Sequence, residues 1–212
     1  MGDIAERQVQ LAIFAKAPVA GYAKTRLIPE LGAEGAASLH AFFIRRAVET
    51  ALTSSLRPVS LWCAPDSSHD MFRWLHRVYG IEIFGQVGEN LGERMLDAFV
   101  RLIERGPVVL IGTDCPVLSA VHLDRCAAAL RDTDVVFTPA EDGGYVLIGL
   151  RQPERRLFEE VAFGTEVVMR QTRERVKELR LKAIETETLW DVDTAADFKR
   201  ARSVGLIPKL FV

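Results

Sequence analysis

Short apolar runs alternate with longer stretches of helical periodicity along the chain, the pattern of βαβ units feeding a mostly parallel sheet. Val9 to Ala15 (VQLAIFA) is apolar at nearly every position, which a half-exposed strand does not allow, so it reads as a central strand. A loop rich in Pro, Gly and Ala follows from Lys16 to about Gly32. It leads into a helix from about Glu34 to Ser55, with Leu39, Phe42, Phe43, Ala47 and Leu52 on its apolar side. Long ordered loops tend to be functional. Further strands are expected at Val59 to Ala64, Ile81 to Gly85 and Val108 to Gly112, with helices near Ser68 to Tyr79 and Leu91 to Glu104.

Beyond Asp114 the pattern gives a helix from Ser119 to Arg131 and a strand from Asp134 to Thr138. The segment Tyr145 to Leu150 folds back through the Gly143-Gly144 turn and inserts an antiparallel strand. A charged helix from Glu166 to Leu179, a strand near Leu181 to Glu185, the segment Trp190 to Asp193 and a helix from Ala195 complete the reading. Charges of both signs at helical spacing from Arg170 to Lys182 mark a solvated face.

With 212 residues, 49% hydrophobic, the chain fits one domain over residues 1–212. No apolar run reaches the roughly 20 residues of a membrane helix, and MGDIAERQ lacks the features of a signal peptide, so a cytoplasmic protein without a membrane span is expected. Cys63, Cys115 and Cys126 have neither metal-site nor disulfide spacing and are read as reduced, mostly core residues. A net charge of −2 without a basic stripe argues against nucleic acid and for a small-molecule partner.

Four clusters offer chemistry. Lys16-Ala17-Pro18-Val-Ala-Gly21-Tyr-Ala-Lys24-Thr25-Arg26 follows the first strand, where free backbone N–H groups and three cations suit phosphate; the plainer reading is a solvated basic loop. It is neither a Walker A loop nor a GxGxxG fingerprint. Thr113-Asp114 closes a buried strand, and an acid there faces the ligand crevice of an open α/β sheet. Asp114 is therefore the first choice for Mg²⁺, against a simple turn aspartate.

Glu141-Asp142-Gly143-Gly144-Tyr145 is either only a hairpin turn or a site where backbone approaches a ligand, Asp142 and Tyr145 holding a hydroxyl and covering a ring. If Trp190 to Thr194 is extended, Asp191 and Asp193 share a face and offer a second carboxylate for the metal; alternatively Asp193 or Thr194 caps the last helix, Thr194 and Asp197 forming a capping box. Thr165 is expected to cap the charged helix. The four histidines lack ligand spacing, and no nucleophile elbow or Cys/His pairing is present.

The ordered set FAKAPVAGYAKTRL, IGTDCP, DGGYVLIGL, FGTE and WDVDT resembles a bacterial family of GT-A-type glycosyltransferase-like, or nucleotide-diphospho-sugar transferase, proteins, similar in turn to phospholactate guanylyltransferases. The resemblance spans about Val9 to Arg200. It implies a three-layer α/β/α fold with a mixed, mainly parallel sheet and a nucleotide bound over the N-terminal half.

It further implies Lys16, Lys24 and Arg26 against the phosphates, with Ala17, Pro18, Gly21 and Thr113 beside the nucleotide. Asp114 would hold Mg²⁺ or Mn²⁺ with Asp193 as a second ligand, and Asp142, Gly143, Gly144 and Tyr145 would flank the acceptor. Two departures stand out: Ala15-Lys16-Ala17-Pro18 replaces the Gly-Gly loop of sugar-nucleotide pyrophosphorylases, and Thr113-Asp114-Cys115 is a reduced DxD.

The expectation is a Mg²⁺-assisted nucleotidyl or glycosyl transferase, with Lys24, Arg26 and Asp114 as catalytic groups and a small-molecule acceptor. A non-catalytic nucleotide-binding domain of the same fold is the alternative. An NAD-linked oxidoreductase is disfavoured by the missing glycine fingerprint.

Overall fold

A computed structural model describes residues 7–209 and 211. The opening octapeptide and the 1–212 domain range thus fall partly outside the described residues. Seven strands form one sheet: β1 (Gln10–Lys16), β2 (Val59–Ala64), β3 (Glu82–Gly85), β4 (Val108–Ile111), β5 (Val135–Pro139), β6 (Tyr145–Leu150) and β7 (Ala183–Glu185). Their order is β3-β2-β1-β4-β6-β5-β7. All neighbouring pairs are parallel except those of β6, which runs antiparallel to β4 and β5 as the turn glycines implied.

Alternation along the strands splits the core between two helical layers. Leu11, Ile13, Leu61 and Val109 face one side, packed with residues of α1 (Ile28–Thr53), α2 (Asp70–Tyr79) and α4 (Ala120–Ala129). Ala12, Phe14, Trp62 and Leu110 face the other, against α3 (Leu91–Leu102) and Met169 of α5 (Val168–Glu178). This is the three-layer α/β/α architecture. A third cluster joins Leu39 and Phe43 of α1 to Val192 and to Phe198 of α6 (Ala195–Ser203), pinning the Trp190–Thr194 segment against the first helix.

Two boundaries differ from the sequence reading. The loop after β1 is much shorter, because helix begins at Ile28. Pro29 reads as loop in sequence but is tolerated in a first helical turn, where its missing N–H has no partner to lose. Gly32, at φ 70° and ψ 168°, then kinks the helix before it continues. At α5 the N-cap residue is Val167 with no side-chain cap, while the Thr165 hydroxyl donates to the Ala162 carbonyl at 2.7 Å instead.

Other elements shift by one to three residues, and the Thr194–Asp197 capping box forms as read. Among the described residues no helix is long and apolar enough to cross a membrane. Cys63, Cys115 and Cys126 are free, two of them buried.

Candidate active site at the carboxyl edge of the sheet

The strand order reverses at β1: β2 and β3 lie on one side, β4 on the other. Chain leaving β1 and β4 therefore diverges, opening the crevice in which sheets of this kind take ligands. The loop from Ala17 to Lys24 is tightly folded, with Ala17 N donating to Ala64 O at 2.7 Å and Tyr22 and Ala23 N to Val19 O at 3.0 Å. Lys24 takes left-handed backbone angles (φ 47°, ψ 46°), unusual for a residue with a Cβ.

That conformation turns its side chain inward, where it is only 4% exposed. Lys24 Nζ lies 2.8 Å from Asp114 Oδ1, 2.8 Å from Asp193 Oδ1 and 2.6 Å from Val192 O. Burial works against the ammonium, but the two carboxylates outweigh it and raise the Lys24 pKa above its ordinary value. Burial likewise opposes the Asp114 charge, which Lys24 and the His40 ring hold below the usual carboxylate range.

Asp193 reaches this point because Val192 is fully buried and its N–H donates to Asp114 O at 2.9 Å, stitching the segment to the end of β4. The Asp197 carboxylate of the capping box also accepts from Asp193 N at 3.2 Å. Asp191 shares the crevice: burial and the neighbouring Asp114, Asp142 and Asp193 push its carboxyl up to about 8.

In the crevice His40 Nδ1 stands without a hydrogen-bond partner. Asp114 Oδ1 is held 2.8 Å from the Lys24 ammonium, and His40 Nδ1 lies 3.7 Å from that oxygen. His40 Nε2 is 3.0 Å from Lys16 O, and since a carbonyl only accepts, Nε2 carries a proton. Burial pushes this histidine below its ordinary pKa.

The crevice divides into two hollows that share Phe14, Leu91 and Gly112. The larger, about 750 Å³, is lined by Lys16, Ala17, Tyr22, His40, Thr113 and Asp114 among others. The smaller, about 340 Å³, takes in Arg26, Asp142, Gly144, Tyr145, Asp191 and Asp193. A still larger groove of about 970 Å³ runs between α3 and residues 155–164, away from Lys24 and Asp114.

Lys16, Lys24, Thr113, Asp114 and Asp193, read from separate parts of the sequence, thus meet around one crevice, and Ala17 lines it. Arg26 faces the smaller hollow, apart from Lys16 in the larger one. Pro18, Gly21 and Lys24 line neither: Gly21, at φ 82°, serves the turn, and Lys24 is buried behind Asp114 and Asp193.

Gly143 (φ 89°) is set by packing, since a Cβ there would come within 2.1 Å of Glu166 O. Asp142 Oδ1 accepts from Gly144 N at 2.9 Å. The Tyr145 ring packs on Phe137 at 5.6 Å between centroids, its hydroxyl 3.9 Å from Met95 Sδ, and burial raises the phenol's pKa. His40, Gln86 and Arg94 are lining residues that the sequence reading passed over. A signal for His40 existed: it is a polar residue inside the buried stripe Ala36, Ala37, Leu39, Phe43, Ile44 of α1.

Among the described residues no group of three or more His, Cys, Asp or Glu is disposed to hold a metal by itself. Mg²⁺ requires less, commonly one or two carboxylates completed by substrate phosphates and water. Asp114 and Asp193, now neutralised by Lys24, with Asp191 beside them, give the carboxylates of such a half-built site.

The fold is the α/β/α fold of nucleotide-diphospho-sugar transferases. A candidate nucleotide-diphospho-sugar transferase from Desulfovibrio desulfuricans superposes with a TM-score of 0.85 at 27% identity, covering 93% of this chain and 87% of that one. CMP:2-keto-3-deoxy-manno-octonic acid synthetase, solved with CTP, matches with a TM-score of 0.60 at 10% identity over 93% and 98% of the two chains. A Mycobacterium tuberculosis protein solved with manganese gives 0.56 at 19% identity over 91% and 97%. These last two share the fold alone. No curated protein sequence matches. The model of the family DUF2064, described as an uncharacterized protein conserved in bacteria, matches residues 47–165, and the chain belongs to that family.

Proposed function

We propose that this chain, acting as one domain, is a transferase that takes a nucleotide or nucleotide-sugar donor, assisted by Mg²⁺ or Mn²⁺, and passes part of it to a small-molecule acceptor. The observation that carries this reading is Lys24 Nζ held 2.8 Å from both Asp114, which lines the larger hollow, and Asp193, which lines the smaller. A cation beside two acids, between a larger and a smaller hollow, is the arrangement that transfer between a phosphate-bearing donor and an acceptor requires.

Asp114 and Asp193 would hold the metal, which when bound neutralises phosphate charge and polarises the phosphoryl oxygens. Lys24, relieved of its carboxylate partners, would turn its ammonium toward the donor phosphates, joined by Lys16 from the larger hollow. Arg26 would stabilise charge from the acceptor side, and Asp142 would orient an acceptor hydroxyl. The solved relatives named above, one with CTP and one with manganese, support a nucleotide and a divalent metal on this fold.

The test is incubation with Mg²⁺ and each nucleoside triphosphate plus phosphorylated small acids, and separately with nucleotide-sugars. Pyrophosphate release marks nucleotidyl transfer and nucleoside diphosphate release marks glycosyl transfer. One observation favours the alternative of a binding domain without turnover: Lys24 already compensates the acids, so the crevice is stable as a purely structural ion-pair lock. That reading predicts nucleotide-dependent thermal stabilisation with no product from any acceptor.

A further inference from the structure

Three of the large apolar side chains left in solvent gather at one place. Val19, Tyr22 and Leu91, at 40%, 70% and 44% exposure, line the 750 Å³ hollow. Singly exposed apolar residues are ordinary, but a group of them around one cavity marks a binding surface.

The hollow has a mixed lining. Phe14, Ala17 and Pro65 are apolar, whereas Lys16 and Arg94 bring positive charge. A flat, weakly polar ring carrying an anionic chain matches that mixture.

Tyr22 is also held ready. Lys16 Nζ donates to its carbonyl at 2.9 Å and its own N–H donates to Val19 O at 3.0 Å, so the backbone is fixed. Its phenol forms no hydrogen bond among the described residues, leaving the ring unspent. A tyrosine offers a broad rigid face with only two side-chain torsions to order, and a preorganised platform lowers the entropic cost of binding.

We infer that Tyr22 is the platform on which the planar base of the donor nucleotide stacks. This rests on the donor assignment made under Proposed function. Stacking of a base on an aromatic side chain contributes enough to change affinity by about one order of magnitude.

The experiment is calorimetric titration of wild type, Tyr22→Ala and Tyr22→Phe with the four nucleoside triphosphates and two nucleotide-sugars, UDP-glucose and GDP-mannose, in Mg²⁺. Inorganic pyrophosphate serves as a probe that lacks a base. Tyr22→Ala should weaken the best-bound nucleotide about tenfold, leave pyrophosphate affinity unchanged, and be rescued by Tyr22→Phe. Equal nucleotide affinity in wild type and Tyr22→Ala overturns the inference while the donor assignment stands. A proportional loss of pyrophosphate, or failure of Tyr22→Phe to rescue, overturns it too. If wild type binds none of the nucleotides, the donor assignment itself fails and Tyr22 falls with it.

Discussion

Lys24 and Asp193, 169 positions apart in sequence, meet at 2.8 Å, and the contact draws the tail of the chain over the end of the first strand. The ammonium is buried while its partners Asp114 and Asp193 are 41% and 44% exposed, so the positive charge belongs to the interior and the acids open to the crevice. A cation fixed beneath two accessible carboxylates has structural and chemical consequences that can be separated.

Lys24→Met should leave Asp114, Asp191 and Asp193 facing one another without compensation. Removing one member of a buried ion pair costs about 3–5 kcal/mol, and the exposure of both acids reduces that here to roughly 1–3 kcal/mol. Urea unfolding measures the loss, and added Mn²⁺ should restore part of it in the variant more than in wild type.

Gly143→Ala should destabilise by roughly 2–4 kcal/mol, because the added Cβ would sit 2.1 Å from Glu166 O at a positive φ. Thermal melting reads this directly. A variant as stable as wild type would mean that the turn is free to move and that packing does not require the glycine.

Thr194→Ala removes one half of the capping box on α6, at a cost of about 1 kcal/mol. Asp197 also accepts from Asp193 N, so the same change should loosen Asp193. Chemical denaturation reports the first effect; Mn²⁺ titration followed by electron paramagnetic resonance should report weaker metal binding as the second.

Burial pushes the Cys63 thiol up to about 12 from an ordinary value of 9.0. The folded state therefore keeps its proton while the unfolded chain releases one as pH passes 9. Stability from this group is complete below pH 9 and is lost as pH rises toward 12, by roughly 1.4 kcal/mol per pH unit. Unfolding free energies measured at pH 8 and pH 10 should differ less in Cys63→Ala than in wild type, and native Cys63 should resist thiol reagents at pH 8.

Much of this was legible in the chain because periodicity and buried runs dictate it. The uniform apolarity of β1 gave a central strand, and Gly143-Gly144 between two apolar runs gave the antiparallel return of β6. Asp114 was legible because an acid ending a buried strand has only the crevice to face.

Other features were hidden for physical reasons. Pro29 reads as a breaker until it falls in a first helical turn. The roles of His40 and Gln86 depend on which strand ends become neighbours, information that one-dimensional spacing does not hold. The left-handed turn at Lys24, which aims its side chain inward, leaves no mark in local composition. Asp191 could be placed on a face by alternation, but its raised pKa arises first from burial and then from Asp114 and Asp142, which sequence separates from it.

The most direct test of the crevice is nucleotide binding with and without Mn²⁺ in wild type and Asp114→Asn, followed by melting temperature. A site of the proposed kind gives wild type an extra Mn²⁺-dependent stabilisation of a few degrees with nucleotide, following the mass-action effect of a bound ligand. It gives Asp114→Asn only the metal-independent part. Identical Mn²⁺-dependent shifts in the two proteins, or no shift in either, would contradict it.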